Sequence, residues 1–467
     1  MWSGRFRQPL DPQFEQWQRS FPYDQKLLRY ELAASRAHAQ ALRAAGVLSP
    51  EEHKLIAAGL DQIERQSDRP DFFVDTEAED VHHFVEKNLV ALIGDTGKKV
   101  HSGRSRNEQI ATDLRLFLRE NIDELRASLG EFLEILLDRA EESRLASMPA
   151  YTHLQRAEPV LVAHWLLAYF AMFMRDAGRL KDCRARLNEC PLGSGAVAGA
   201  PLPLDRNITS DQLGFDRPTA NSIDAVSDRD FVLEFANAVS LLGVHLSRWA
   251  EELMLFATAE YGFIRLPEAY STGSSAMPQK QNPDSLELIR GKAARLIGAQ
   301  TTLAVLVKGL PLSYNKDMQE TQEPLLDAAA TAGGCLQVAR GFMREVTFDL
   351  ARMQAACETG FMNALAAATY LVQRGVPFRE AHEIVAHAVQ KCVDRGCELQ
   401  DLSLAELREF SPAFDQDIFS ALTVESVLAA HDVPGGTAPE RVKQAIHKAR
   451  EKVALLLQEA KADVTHA

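Results

Sequence analysis

Two stretches of the chain repeat apolar residues at alternating spacings of four and three for close to thirty residues. One runs Ile110, Leu114, Leu118, Ile122, Leu125, Leu129, Phe132 and Leu136; the other runs Phe231, Phe235, Val239, Leu242, Leu246, Trp249, Leu253 and Phe256. That alternation is a heptad seam, the pattern of helices packed nearly parallel along their length. Thirty helical residues reach about 45 Å, far beyond an average globular helix. The rest of the chain has to be arranged around rods of that length. Few stretches alternate like strands, so the predicted class is all-α: an elongated long-helix bundle with smaller N- and C-terminal helical domains.

A third long helix is predicted to start near Pro283, with Asn282 as N-cap, Pro283 at N1, and Asp284 and Glu287 near its positive end. It continues through Leu286, Ile289, Ala293 and Leu296. At 467 residues the chain exceeds one ordinary core. The expected division is an N-terminal helical domain at 1–105, a central bundle and oligomerisation core at 106–360, and a C-terminal helical domain at 361–467. The last is broken by "RGVPF" and "DVPGGTAPE". Long helices with two apolar flanks bury the second flank against another copy of the chain, so an oligomer is expected.

A formal charge of −14 argues against non-specific nucleic-acid binding, though a local basic pocket can still hold an anionic substrate. "MWSGRFRQPLDPQFEQW" has no apolar core behind its basic residues, as a secretory signal requires. The most apolar window, Val160 to Met174, includes His164 and falls short of the roughly twenty residues that cross a bilayer; it reads as a buried helix. The six cysteines, at 183, 190, 335, 357, 392 and 397, form no CxxC pair. No membrane partner, disulfide framework or zinc site is expected, and a cytoplasmic setting is.

Three motifs carry candidate chemistry. "HSGRSRNEQI", His101 to Ile110, opens the first long helix, and Ser105 with Glu108 fits a capping box. Capping leaves Arg104, Arg106 and Asn107 unexplained, and an arginine beside free helix-start amides makes an anion site. "YTHLQRAEP", Tyr151 to Pro159, sets Thr152 and His153 in a proline-broken loop before the apolar helix; histidine there is a candidate base or a hydrogen-bonded structural residue. "GSSAMPQKQNP", Gly273 to Pro283, combines a flexible glycine, paired serines, Lys280 and a helix start. Together these suit a carboxylate dianion developing as a proton leaves the neighbouring carbon.

Three other patterns carry no site. "GSGAVAG", Gly193 to Gly199, has the wrong spacing for a dinucleotide loop and no strand before it. His382 and His387 in "HEIVAH" stand five apart, where a helical zinc pair stands four apart. The adjacent His82 and His83 point in different directions on a helix. No metal is implied.

"GSSAMPQKQNP" resembles the GSSxMPxKxNP signature of the fumarase/aspartase superfamily, whose members release fumarate from a substituted succinate. "HSGRSRNEQ", "YTHLQRAEP", "YNKDMQE" at Tyr314 to Glu320, "VSDRDFV" at Val226 to Val232 and the opening "MWSGRF" are similar to the argininosuccinate lyase family. These landmarks run from residue 1 to about 323, and the C-terminal hundred residues carry none as specific. The resemblance implies a homotetramer around a central bundle of long helices, with active sites built from three subunits. It also implies reversible cleavage of argininosuccinate to arginine and fumarate, without cofactor, in arginine biosynthesis.

By the same resemblance Ser274 is the base that removes the Cβ proton, helped by Lys280, the loop amides and the helix start. The residues read alone point instead to His153, whose imidazole titrates near neutrality. With Ser274 as base, His153 assists proton delivery or positions substrate, and Glu287 is its expected partner. Lys280, Asn282 and Thr152 are expected to hold the carboxylates that become fumarate. Ser20, Asp24, Arg106, Asn107, Arg229, Tyr314 and Gln319 resemble positions lining the rest of the pocket. Many family members carry "QEDKE" where this chain reads "QETQE", so Gln322 stands in place of a lysine expected to help bind substrate. The alternatives are another fumarate-releasing lyase, or an inactive crystallin-like relative that kept the fold.

Overall fold

The computed structural model describes residues 7–69 and 71–465, so the opening "MWSGRF" lies outside the described residues. Among shorter helical turns, three longer helices lead in: α1 (Leu28–Ala44), α2 (Pro50–Gln66) and α3 (Val81–Ile93). A capping box of Ser49 with Glu52 starts α2, and the Asp80 side chain caps α3. Each supplies an acceptor for first-turn amides that have none within the helix.

The predicted rods follow. α4 (Arg106–Glu142) has 37 residues, about 55 Å at 1.5 Å per residue. Its start is the expected capping box of Ser105 with Glu108. A hairpin of β1 (Ser147–Thr152) and β2 (Gln155–Leu161) turns the chain back into α5 (Val162–Leu187). The long helices α6 (Asp230–Ala257), α7 (Asp284–Val307) and α8 (Gln322–Glu345) complete the run. Directions follow from the contacts. Asp123 of α4 bonds Arg184 of α5, so these two are antiparallel. Phe132 meets Trp249 of α6 while Arg115 covers Phe231, so α4 and α6 run together. Arg290 on α7 bonds Glu251 on α6, and Arg340 on α8 bonds Ser128 on α4. Every heptad residue named above on α4 and α6 is buried.

The bundle therefore has two ends. At one lie the starts of α4, α6 and α8 with the ends of α5 and α7; at the other lie the hairpin and the 258–283 connection. Among the described residues no helix is long and apolar enough to cross a membrane.

Three local expectations need correction. Asn282 is not an N-cap: with Gln281 it forms the short strand β4 (Gln281–Asn282), paired to β3 (Thr272–Gly273), and its amide points at Gly273 O. Pro283 is the cap residue, and the helix starts at Asp284 with no side-chain cap. The "YTHLQRAEP" segment is a hairpin rather than a loop, and Val160 and Leu161 of the apolar window belong to its second strand. At the C-terminal end, α9 (Ala364–Gln373) and α10 (Phe378–Arg395) belong to a separate core running from Ala367 to Leu422. The last helix, α11 (Pro439–Thr465), leaves that unit and joins the main core through Val442, Ile446, Val453 and Leu456. Arg126 and Asp138 of α4 pair with Glu459 and Arg450 of α11. The two helices lie so close that a Cβ on Gly130 would stand 2.4 Å from Leu457.

Candidate active site

At the α4 start the predicted residues from the N-terminal region, the Arg229 turn and the Tyr314 segment come together. Ser20 Oγ donates to Asp24 Oδ2 at 2.6 Å, and Val81 N donates to Asp24 Oδ1 at 3.1 Å. Burial and the neighbouring Asp80 push the Asp24 carboxyl up to about 7 despite those bonds. Arg106 pairs with Glu79 at 3.0 Å and Asp80 at 2.9 Å, and Lys316 reaches Glu79 at 3.1 Å. Tyr314, after Ser313 in the left-handed region at φ 75°, sits within the electrostatic reach of Arg229, Asp80, Arg106 and Glu79. Gln319 donates to Gln18 O at 2.9 Å.

Arg229 is the chemical focus of this end. It is 1% exposed, and Nη1 donates to Asp228 O at 2.6 Å. Its Nε and Nη2 have no hydrogen-bond partner among the described residues. Burial lowers its pKa to about 10. A buried guanidinium with two unused donor directions is matched by a carboxylate, which takes two parallel N–H bonds. At the start of α4, His101, the turn 103–106 and the glycine-rich 195–201 loop line a cavity of about 580 Å³. Asn107 bonds that loop at Ala196 O, so "GSGAVAG" is a loop docked on the helix start.

Behind Asp24 lies a network that spacing did not expose. His82 Nδ1 donates to Glu31 at 2.8 Å, Gln109 and Ser35 also donate to Glu31, and Arg104 stands 3.7 Å from it. Burial opposes charge on both members of the pair. Even so, Glu31 holds His82 up at about 9, while His82 and Arg104 hold Glu31 down at about 2. Asp113, also buried, completes a triad of possible metal ligands. The His82 nitrogen facing Glu31 is already its donor, Arg104 stands beside it, and burial with the Glu31 charge holds the Asp113 carboxyl well above the usual carboxylate range, so the chemistry is that of an internal ion network. Its members come from α1, α3, the 101–105 turn and α4, which is why no single motif announced it.

At the other end are the remaining predicted residues. His153 and Leu154, at φ 54° and 59°, form the two-residue turn of the hairpin, with Thr152 beside them; all three are exposed. Two non-glycine residues in the left-handed region are strained, which marks a turn held for a purpose. Ser274 begins an exposed loop, and its Oγ accepts from Ala276 N at 3.3 Å and Met277 N at 3.1 Å. Those two amides stabilise negative charge on that oxygen. Lys280 and Glu287 are exposed. Among the described residues no hydrogen bond or ion pair joins His153 to Glu287 within one chain. Back at the α4 end, Gln322 opens α8; it is 2% exposed, and its Oε1 lacks a partner among the described residues. Relative to "QEDKE", Thr321 and Gln322 replace an acid and a lysine together, so the local net charge is conserved.

A lyase family profile matches residues 4–298, and an argininosuccinate lyase C-terminal profile matches 361–429, where motif reading had found nothing specific. The argininosuccinate lyase of Acidobacterium capsulatum is 59% identical over 452 residues, covering 96% of this chain and 93% of its own. That of Synechococcus sp. is 50% identical, covering 97% and 92%. Among solved structures, an EDDS lyase in complex with formate superposes with a TM-score of 0.86 at 28% identity, over 98% of this chain and 93% of its own. A class II fumarase from Schistosoma mansoni shares the fold at 16% identity and a TM-score of 0.73, over 86% and 90%. The chain belongs to the argininosuccinate lyase family.

Proposed function

We propose that the protein cleaves argininosuccinate reversibly to arginine and fumarate, as a cytoplasmic homotetramer in arginine biosynthesis and without a cofactor. The observation that carries this reading is the family likeness over nearly the whole chain, with the "GSSAMPQKQNP" loop intact. In this mechanism Ser274, as the oxyanion, takes the proton from the carbon beside a succinyl carboxylate. The electron pair moves into that carboxylate, and the dianion is held by Lys280, Asn282 and Thr152. The bond to the guanidino nitrogen then breaks, its electrons leave with nitrogen, and His153, backed by Glu287, delivers a proton there. Arg229, Arg106, Asn107, Tyr314, Gln319, Ser20 and Asp24 bind the remainder of the substrate. The pair of amides on Ser274 Oγ supports the base assignment over His153.

The tetramer is supported by distance and by surface. Arg106 and the hairpin stand at opposite ends of a helix about 55 Å long, a span no argininosuccinate molecule bridges. A site that uses both groups draws on more than one copy. Leu288 at 61% exposure, Ile297 at 42% and Val305 at 53% leave apolar side chains uncovered along α7, which neighbouring copies could bury. The cytoplasmic setting rests on cysteines that are all unpaired.

The test is fumarate release by ultraviolet absorbance, with argininosuccinate, adenylosuccinate, aspartate and malate offered separately. Turnover of argininosuccinate alone is the expected result. Turnover of another substrate would keep the chemistry and displace the specificity, and silence on all four would leave the crystallin-like reading.

A further inference from the structure

The catalytic loop is exposed at its tip but not at its root. Tyr270, four residues before Ser274, lies on α8 at Gly341, where a Cβ would stand 1.7 Å from the tyrosine Oη and 2.4 Å from Cζ. Only glycine leaves that notch open. The ring meets Phe342 edge-on at 6.4 Å. Phe342 meets Trp249 at 5.8 Å, Trp249 meets Phe132 at 5.6 Å, and Phe132 meets Phe173 at 5.1 Å. Tyr270 is thus the outer end of an aromatic column that crosses α8, α6, α4 and α5. The backbone around it is tied as well. Ser285 Oγ donates to Tyr270 O at 2.7 Å, Thr272 donates to Asp284, and the β3–β4 ladder closes the stem.

We propose that Tyr270, seated in the Gly341 notch, is a positioning residue that fixes the stem of the Ser274 loop to the bundle and confines motion to the tip. The inference rests on the reading of Ser274 as the base. A base must meet its proton within a few tenths of an ångström, and a displacement of about 1 Å can cost a hundredfold in rate. Dispersion and edge-on ring contacts hold a ring more rigidly than a single exposed hydrogen bond. Among the described residues the Tyr270 hydroxyl makes no hydrogen bond, so the ring is the anchor. Tyr270 also borders a cavity of about 750 Å³ between α7 and α8, so a ring expelled from the notch has space to enter.

The test compares Tyr270→Ala, Tyr270→Phe, Gly341→Ala and the double variant Tyr270→Ala/Gly341→Ala. Tyr270→Ala should lower kcat about tenfold to a hundredfold, leave KM within about threefold, and raise the isotope effect of substrate deuterated at the reacting carbon. Tyr270→Phe should keep kcat within about threefold of the native protein. Gly341→Ala should lower kcat in the native background and add no loss to Tyr270→Ala, because the notch then has nothing to hold. Native kcat in Tyr270→Ala, or losses that multiply in the double variant, would overturn the proposal. Hydrogen exchange of the 271–283 amides, read without substrate, separates this from the function itself. Faster exchange in Gly341→Ala, with the helical bundle still protected, supports the anchor; unchanged exchange refutes it. A native protein inactive on argininosuccinate would remove the function reading, while the exchange comparison would still decide the anchor.

Discussion

The two ends of the bundle hold the side chains proposed for the site in opposite ways. At the α4 start, Ser20, Asp24 and Arg229 are each 2% exposed or less, and Arg106 is paired with two acids. At the hairpin end, Thr152, His153, Lys280 and Glu287 are exposed, and Ser274 accepts from the amides of its own loop. Residues that grip a substrate's constant charges gain from being immobilised before it arrives. Residues that complete a site with groups from another copy have to be presented outward. Substitutions should therefore leave stability nearly unchanged at the exposed end and shift it, in either direction, at the buried one.

The largest effect is expected from Lys280→Met, which should abolish turnover, about a thousandfold or more, while the melting temperature stays at the native value. Near-native activity in that variant would remove Lys280 from the mechanism. Almost as large is the contrast expected on mixing. Ser274→Ala and Arg229→Met, both nearly silent when assayed at substrate well below the raised KM of the second, should regain a measurable fraction of native turnover after joint unfolding and refolding. Some sites would then draw an intact residue from each copy. No recovery beyond the sum of the two would place both residues in one chain's site. Arg229→Met on its own should raise KM about a hundredfold with the melting temperature at or above native, because a buried cation with two unused donors is costly to fold around. A large loss of stability there would show that the guanidinium has structural partners.

Asp24 gives a pH test. Its folded carboxyl titrates at about 7, while an unfolded one titrates near 3.9. Between those values the folded state holds the extra proton, so stability falls as pH rises through that window and is level beyond it. Asp24→Asn should flatten this slope, with a gain of up to about 4 kcal/mol at pH 8, read as melting temperature against pH. A parallel pair of curves would mean that other groups carry the dependence. The smallest effect belongs to the strained turn. Leu154→Gly should add roughly 0.5–1 kcal/mol of stability by relieving φ 59°, with turnover lowered as His153 loses its fixed direction.

The long helices were legible because a heptad seam repeated over about eight turns admits few other structures. The motif residues were legible through resemblance, and the fold explains why spacing alone could not group them. Arg106 and Thr152 are 46 positions apart in sequence, yet a straight helix keeps them at opposite ends. The hairpin was missed because its turn is His-Leu, with none of the Gly or Asn that ordinarily supplies left-handed residues. Asn282 looked like a cap by type, but ladder pairing to Thr272 took its backbone instead. The Glu31–His82–Asp113 network escaped because its members, ordinary on their own elements, meet only in three dimensions.

The place of α11 on α4 sets a timetable for making the protein. Arg126 is fully buried, and the Leu456–Leu457 step closes over Gly130 only when the last helix is present. Those residues emerge from the ribosome about 320 positions after the end of α4, roughly 15 to 65 s later at ordinary synthesis speeds. Through that interval the first rod carries an uncovered apolar stripe with an arginine in its middle. A charge in the middle of an exposed apolar stripe makes its association with other chains more costly until the final partner covers it.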